Sequence, residues 1–131
     1  IFMGEKDLQQ LYLVKKLLEK KYKTLVIPCK TIRDKNNVAL STRNFLLDKF
    51  DLNIASKIYK KLKIIKKNIK NKKNILNFLK LKEAELINNY NIKIDYLELR
   101  NKKNLKLSKT INNSRIFIAY YLNNVRLIDN L

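Results

Sequence analysis

The chain has 131 residues, enough for one compact domain with a piece of a second and too few for two full ones. Its 46% hydrophobic content, without a Ser/Gly/Pro-rich tract, excludes a disordered tail in spite of 31% charged residues. A formal net charge of +19 admits nucleic acid or an anionic membrane as a partner, whereas a lone Cys29 and the lack of histidine exclude a disulfide framework and a Cys/His zinc site built within the chain.

Ile1 to Met3 reads as the end of a buried strand, Gly4 as a turn, and Asp7 as the cap of a helix with an apolar face at Leu8, Leu11, Val14 and Leu18. Thr24 to Ile27 follows as a short β-rich run. The opening is therefore a β-α-β unit of a parallel sheet whose other strands lie outside the chain. A chain that opens inside such a strand is expected to lack its natural N-terminus. The polar, irregular stretch Arg33 to Asn44 reads as a loop and as the boundary of this unit, with Ser41 and Thr42 able to cap a helix from near Phe45.

Leu52 to Ile69 carries a helical stripe (Ala55, Ile58, Leu62, Ile65, Ile69), and Ile75 to Tyr90 carries another (Ile75, Phe78 or Leu79, Lys82, Leu86, Tyr90). The Lys/Asn-rich stretch Lys66 to Asn74 between them reads as an exposed helix end and turn. Ile92 to Leu99 alternates as a strand, and Arg115 to Leu122 and Val125 to Ile128 flank Asn123-Asn124 as a hairpin. The C-terminal part is thus α+β.

The basic excess is lysine spread from Lys15 to Lys109 among Asn and Ile, which reads as solvated helix faces in a compositionally drifted chain. A basic nucleic-acid-binding module remains the rival reading. No apolar run approaches the 18 or more residues of a membrane span, and the N-terminal residues lack the features of a signal peptide, so a reducing cytoplasm is the expected compartment.

Two segments carry chemistry. Gly4 is the only glycine, where average usage of about 7% gives roughly nine, and it precedes a helix start that offers N–H donors to an anion. Lys6 adds an ammonium, Glu5 and Asp7 add carboxylates suited to ribose hydroxyls, and Gln10 lies one helical turn beyond Lys6. In the loop, Leu40-Ser41-Thr42-Arg43-Asn44 offers two hydroxyls and a guanidinium, a set suited to clamping phosphate. Taken singly, each is as well read as a cap or a solvated surface residue.

Together, IFMGEKDLQQLYLVKKLL, VIPCKTIRDKNNVALSTRNFLL, DYLELR and RIFIAYYLNNVRLIDN resemble, in order and spacing, the C-terminal half of the pantothenate synthetases. The resemblance implies a fold class of α/β: residues 1–31 as the last strand-helix-strand of a partial Rossmann-like nucleotide-binding domain, and 32–131 as a small α+β lid domain with a phosphate loop at 33–44. It implies an AMP-forming ligase that joins pantoate to β-alanine through a pantoyl-adenylate, with ATP and Mg2+ as substrate complex, a homodimer in the full-length enzyme, and no specific nucleic-acid or membrane partner. Carried over by position, Gly4, Glu5, Lys6, Asp7, Ile32, Leu40, Ser41, Thr42 and Arg43 line the ATP site. Among these Lys6, Ser41 and Arg43 are catalytic, and Gln10 binds pantoate. No metal ligand is implied.

The resemblance also places the catalytic histidines in an upstream HIGH-like segment, and this chain has none, so it reads as a piece of the enzyme or, alternatively, a decayed non-catalytic remnant. The chain departs from the family's Asp-Gly-Leu-Ala-Leu-Ser-Ser-Arg-Asn at Asn36, Asn37, Val38 and Thr42. Asn37 stands where the family has glycine, and asparagine is among the side chains that best tolerate positive φ.

Overall fold

The computed structural model describes residues 1–131 and contains two sheets. Strand β1 (Phe2–Gly4), a short 3-10 turn (Glu5–Asp7), helix α1 (Leu8–Tyr22) and strand β2 (Ile27–Cys29) form the β-α-β unit, with β1 and β2 parallel and Phe2 opposite Ile27. The opening strand is not buried: Phe2 is 74% exposed, because parallel strands need cover on both faces and α1 covers only part of this two-stranded ribbon.

The second strand starts at Ile27, not Thr24. Lys23, at φ 52, ends α1 in a left-handed cap, and residues 24–26 carry the chain back to the register in which the Ile27 N–H donates to the Ile1 carbonyl at 2.8 Å. Asp7 caps nothing: the 3-10 turn runs straight into α1 and leaves Asp7 at φ −95, ψ 59, outside the extended backbone that an N-cap adopts. Of the proposed apolar face of α1, only Leu11 is buried.

Helix α2 (Lys49–Asn68) begins later than the Ser/Thr signal suggests. Ser41 does cap, its Oγ accepting from the Arg43 N–H at 3.3 Å, but the element is a 3-10 helix over Thr42–Leu46. Leu47 then turns extended to enter the core, and Asp48 caps α2 by accepting from the Asp51 N–H at 2.7 Å. Every stripe residue from Ala55 to Ile69 is buried, as the 3.6-residue period dictates. Helix α3 (Ile75–Tyr90) has the expected bounds, set by an Asn74 cap and a left-handed Asn91.

Strands β3 (Lys93–Asn101), β4 (Ser114–Leu122) and β5 (Val125–Asn130) form an antiparallel sheet in that order. A bulge between Ile94 and Tyr96 inserts Asp95 and switches the inward positions from Ile94 to Leu97 and Leu99. The Asn123-Asn124 hairpin is present, with Asn123 at φ 51, and its second strand runs two residues past Ile128. Helices α2 and α3 close one face over a core of 18 residues. Phe117 and Ala119, on the opposite face by alternation, are buried as well, so the sheet is covered on both sides. No helix is long and apolar enough to cross a membrane.

Candidate active site at the junction of the two sheets

The Glu5–Asp7 turn is pinned to β5 by one side chain. Asn130, 5% exposed, donates from Nδ2 to the carbonyls of Glu5 (2.8 Å) and Lys6 (2.9 Å), and its Oδ1 accepts from Arg115 at 2.9 Å. Arg115 in turn donates to the Glu5 carboxylate at 2.9 Å. These contacts fix where Lys6 and Asp7 stand relative to the C-terminal sheet. They also direct the Glu5 carboxylate away from the cleft that Lys6 and Asp7 border, leaving it paired with Arg115.

The loop is pinned to the same strand. Arg33 forks onto Asp129 with contacts of 2.7 and 2.8 Å, lies 4.0 Å from the Tyr59 ring centre and donates to the Asn37 carbonyl at 3.2 Å. Burial is the largest single influence on the Arg33 pKa and would lower it, but the hydrogen bond and charge of Asp129, with Tyr59 and Tyr120, together outweigh it and hold the group above its ordinary value. Burial and the Asp129 charge push the Tyr120 phenol well above its own. Asn37 sits at φ 67, so asparagine fills the left-handed position as its residue type allows, and Asp34 Oδ1 accepts from the N–H groups of Asn36 and Val38.

The result is a cleft of about 320 Å3 bordered by Lys6, Asp7 and Gln10 from the helix start, Arg43 from the loop, and Arg126 and Asp129 from β5. Of its charged groups, Arg126 is paired with Asp95 at 2.7 Å and Asp129 with Arg33. Lys6, Asp7 and Arg43 have no ionic partner in the chain. A small cavity of about 20 Å3, large enough for one water, joins Lys6 to Ser41 and Asn44; the buried Asn44 Oδ1 has no hydrogen-bond partner there.

The remaining nominated residues lie at the margin. Ile32 and Leu40 are exposed; the Ile32 carbonyl accepts from the Leu40 N–H at 3.0 Å, while the Ile32 N–H makes no hydrogen bond within the chain. Thr42 is exposed on the 3-10 helix. Gly4 has ordinary extended backbone (φ −69, ψ 135), and a Cβ built on it meets nothing within 4 Å, so neither the turn's geometry nor any neighbour in this chain demands glycine there. Sequence reasoning missed Arg33, Arg115, Asp129 and Asn130 as positioning residues. All four lie in segments that carry the family resemblance, VIPCKTIRDKNNVALSTRNFLL and RIFIAYYLNNVRLIDN, but without a role.

The whole chain, residues 1–131, matches the family described as pantoate-beta-alanine ligase. It is 34% identical over 134 residues to the pantothenate synthetase of Flavobacterium psychrophilum, covering 99% of this chain and 47% of that protein. With the pantothenate synthetase of Francisella philomiragia the identity is 37% over 132 residues, covering 99% and 42%. The chain thus spans about half the length of the curated relatives it matches.

Among solved structures, pantothenate synthetase from Thermus thermophilus superposes with a TM-score of 0.86 at 26% identity, over 99% of this chain and 48% of that one. The pantoate-beta-alanine ligase of Francisella tularensis, solved in complex with Beta-gamma ATP and β-alanine, gives 0.67 at 33% identity, over 99% and 42%. A match running from the β1-α1-β2 unit to the last residue of the antiparallel sheet, in sequence and in fold, places the chain in the pantoate-beta-alanine ligase family.

Proposed function

We propose that this chain supplies one wall of the active site of an ATP-dependent ligase, which joins (R)-pantoate to β-alanine in the cytoplasm as a homodimer. The observation that carries this is the set of unpaired charges in the cleft: Lys6, Asp7 and Arg43 come from two separate segments and border one space, while the other charged groups there are neutralised by partners. Unpaired groups of both signs suit a ligand that brings phosphates and hydroxyls together.

Residues 1–31 would close the Rossmann-like nucleotide domain and 32–131 form its lid. In the first step the pantoate carboxylate attacks the α-phosphorus of Mg·ATP and pyrophosphate leaves with the bonding electrons. The β-alanine amine then attacks the pantoyl-adenylate carbonyl, AMP departs and pantothenate remains. Lys6 stabilises the charge on the transferring phosphate. Ser41 and Arg43, with Thr42 and Leu40, close over the β- and γ-phosphates, and Asp7 takes the ribose.

Gln10 binds pantoate. Gly4 and the Glu5 backbone leave room for the nucleotide, and the free Ile32 N–H meets the adenine. Proton transfer by histidine has to come from outside this chain, which has none.

In the parent enzyme, Lys6→Ala is expected to lower pantoate-dependent pyrophosphate exchange by about 10²–10³, the usual worth of one preorganised donor, while leaving the melting temperature nearly unchanged. Exchange at the wild-type rate would sink the assignment.

A further inference from the structure

Glu5, and not Lys6 or Asp7, borders a second concavity, a groove of about 640 Å3 that the ligase reading does not use. Lys30 lines it on one side, and Lys63, Lys66, Lys67 and Lys70 on the other. Two arginines complete the wall, but both are engaged: Arg33 with Asp129, and Arg115 with Glu5. None of the five lysines makes an ion pair.

Lys63, Lys66 and Lys67 lie on α2 and Lys70 on the 3-10 turn Ile69–Asn71 that continues it, and all four line the groove along a stretch about 10 Å long. Like charges this close together destabilise a helix, and the lysines face a wall that is itself cationic. Burial, together with the charges of Arg115, Lys70 and Lys102, holds Lys66 below its ordinary pKa. The comparable lysines of α1, Lys16 and Lys20, stand among Leu13 and Leu17 on an exposed helix surface with no opposing wall.

We infer that this groove binds a polyphosphate group, either a free inorganic chain or the tail of a larger anion. Three or four closely spaced phosphates match the length of the stretch, and lysines recognise them as point charges. A nucleic-acid strand fits less well. Tyr59 is the one aromatic ring bordering the groove, and Arg33 already stacks on it 4.0 Å from its centre, so the groove offers no series of aromatic platforms for successive bases. The inference does not rest on the Lys6 cleft, because the two concavities share no bordering residue.

The test is titration of the full chain with inorganic tripolyphosphate at about 0.1 M salt, where distant surface charges are screened. Calorimetry would give the affinity and amide NMR shifts the location. The expected result is saturable one-to-one binding with shifts at residues 63–70 and at Lys30. Affinity should fall at least about tenfold in both Lys66→Glu/Lys70→Glu and the milder Lys66→Gln/Lys70→Gln, and should change less than about twofold in Lys16→Glu/Lys20→Glu.

Lys6→Ala should leave groove binding intact, so this inference and the ligase reading fail separately. ATP shifting the amides of residues 63–70 as tripolyphosphate does, while AMP does not, would identify a polyphosphate tail; no shift there from either nucleotide would identify a free inorganic chain. Equal losses from the two charge-reversal pairs, loss in Lys6→Ala, or an RNA oligomer of equal charge binding more tightly with base dependence would each overturn the inference.

Discussion

The β1-α1-β2 unit and the region from Val38 onward are built from the same Lys/Ile/Leu-rich composition, yet they hold together differently. Of the first 31 residues only Leu11 and Val26 are buried, and Phe2, Leu13, Leu17 and Leu25 are exposed. All 18 members of the core lie between Val38 and Leu127. The second region therefore draws its stability from apolar burial. The first borrows its order from a few polar ties, chiefly Asn130 to the Glu5 and Lys6 carbonyls and Arg115 to Glu5.

The largest expected effect breaks the better-packed side. Leu62, 1% exposed at the centre of the α2 stripe, leaves a cavity when truncated, and Leu62→Ala is expected to cost about 2–5 kcal/mol in urea unfolding. The matched truncation on the other side, Leu17→Ala, removes a mostly solvated side chain and should stay within about 0.5 kcal/mol. Equal costs for the two would mean that α1 is covered in solution by something that this chain alone does not provide.

Next comes the tie between the two regions. Asn130→Ala strips a buried donor from two carbonyls and the acceptor from Arg115, which is expected to cost about 2 kcal/mol. The loss should be local. Hydrogen exchange should quicken along residues 5–11 while amides in the middle of β4 keep their protection. Uniform acceleration through both regions would show that they unfold as one unit and would dissolve the comparison.

This division also explains what could be read from the sequence. The α2 and α3 stripes were legible because local period and tertiary burial agree, and Asn37 was legible because a left-handed position selects its residue type locally. The cap at Asp7 and the strand at Thr24 were misread because the turn and the β1 register override local preference. Lys6, Asp7 and Arg43 were found as motif residues. Their positioning partners were not, since Arg33 meets Asp129 across 96 residues and Asn130 meets Glu5 across 125, a separation that no periodicity encodes.

A smaller effect tests the loop that joins the regions. With Asn37 at φ 67, Asn37→Ala places an ordinary side chain in the left-handed region and should cost about 1 kcal/mol, whereas Asn37→Gly, the family's residue, should be close to neutral. If alanine were tolerated as well as glycine, the turn between Arg33 and Ala39 would not be held in the conformation described, and the Arg33 contact to the Asn37 carbonyl would not be constraining it.

The smallest effect concerns charge on the α2 face away from the core. The Lys66 pKa lies below 10.5 because burial and then the charges of Arg115, Lys70 and Lys102 disfavour its ammonium form in the folded state. Between that lowered value and 10.5 the unfolded chain holds more protons than the folded one, so stability contributed through Lys66 rises with pH across this window. Below it the folded state carries the repulsion in full. Lys66→Gln should therefore raise the urea midpoint slightly at pH 7, and its advantage should shrink towards pH 10.5. Lys20→Gln removes one charge from α1, where no opposing cationic wall exists, and serves as the control. If the two substitutions shift the midpoint alike at both pH values, the repulsion belongs to the chain's net charge and not to the local charges of Arg115, Lys70 and Lys102.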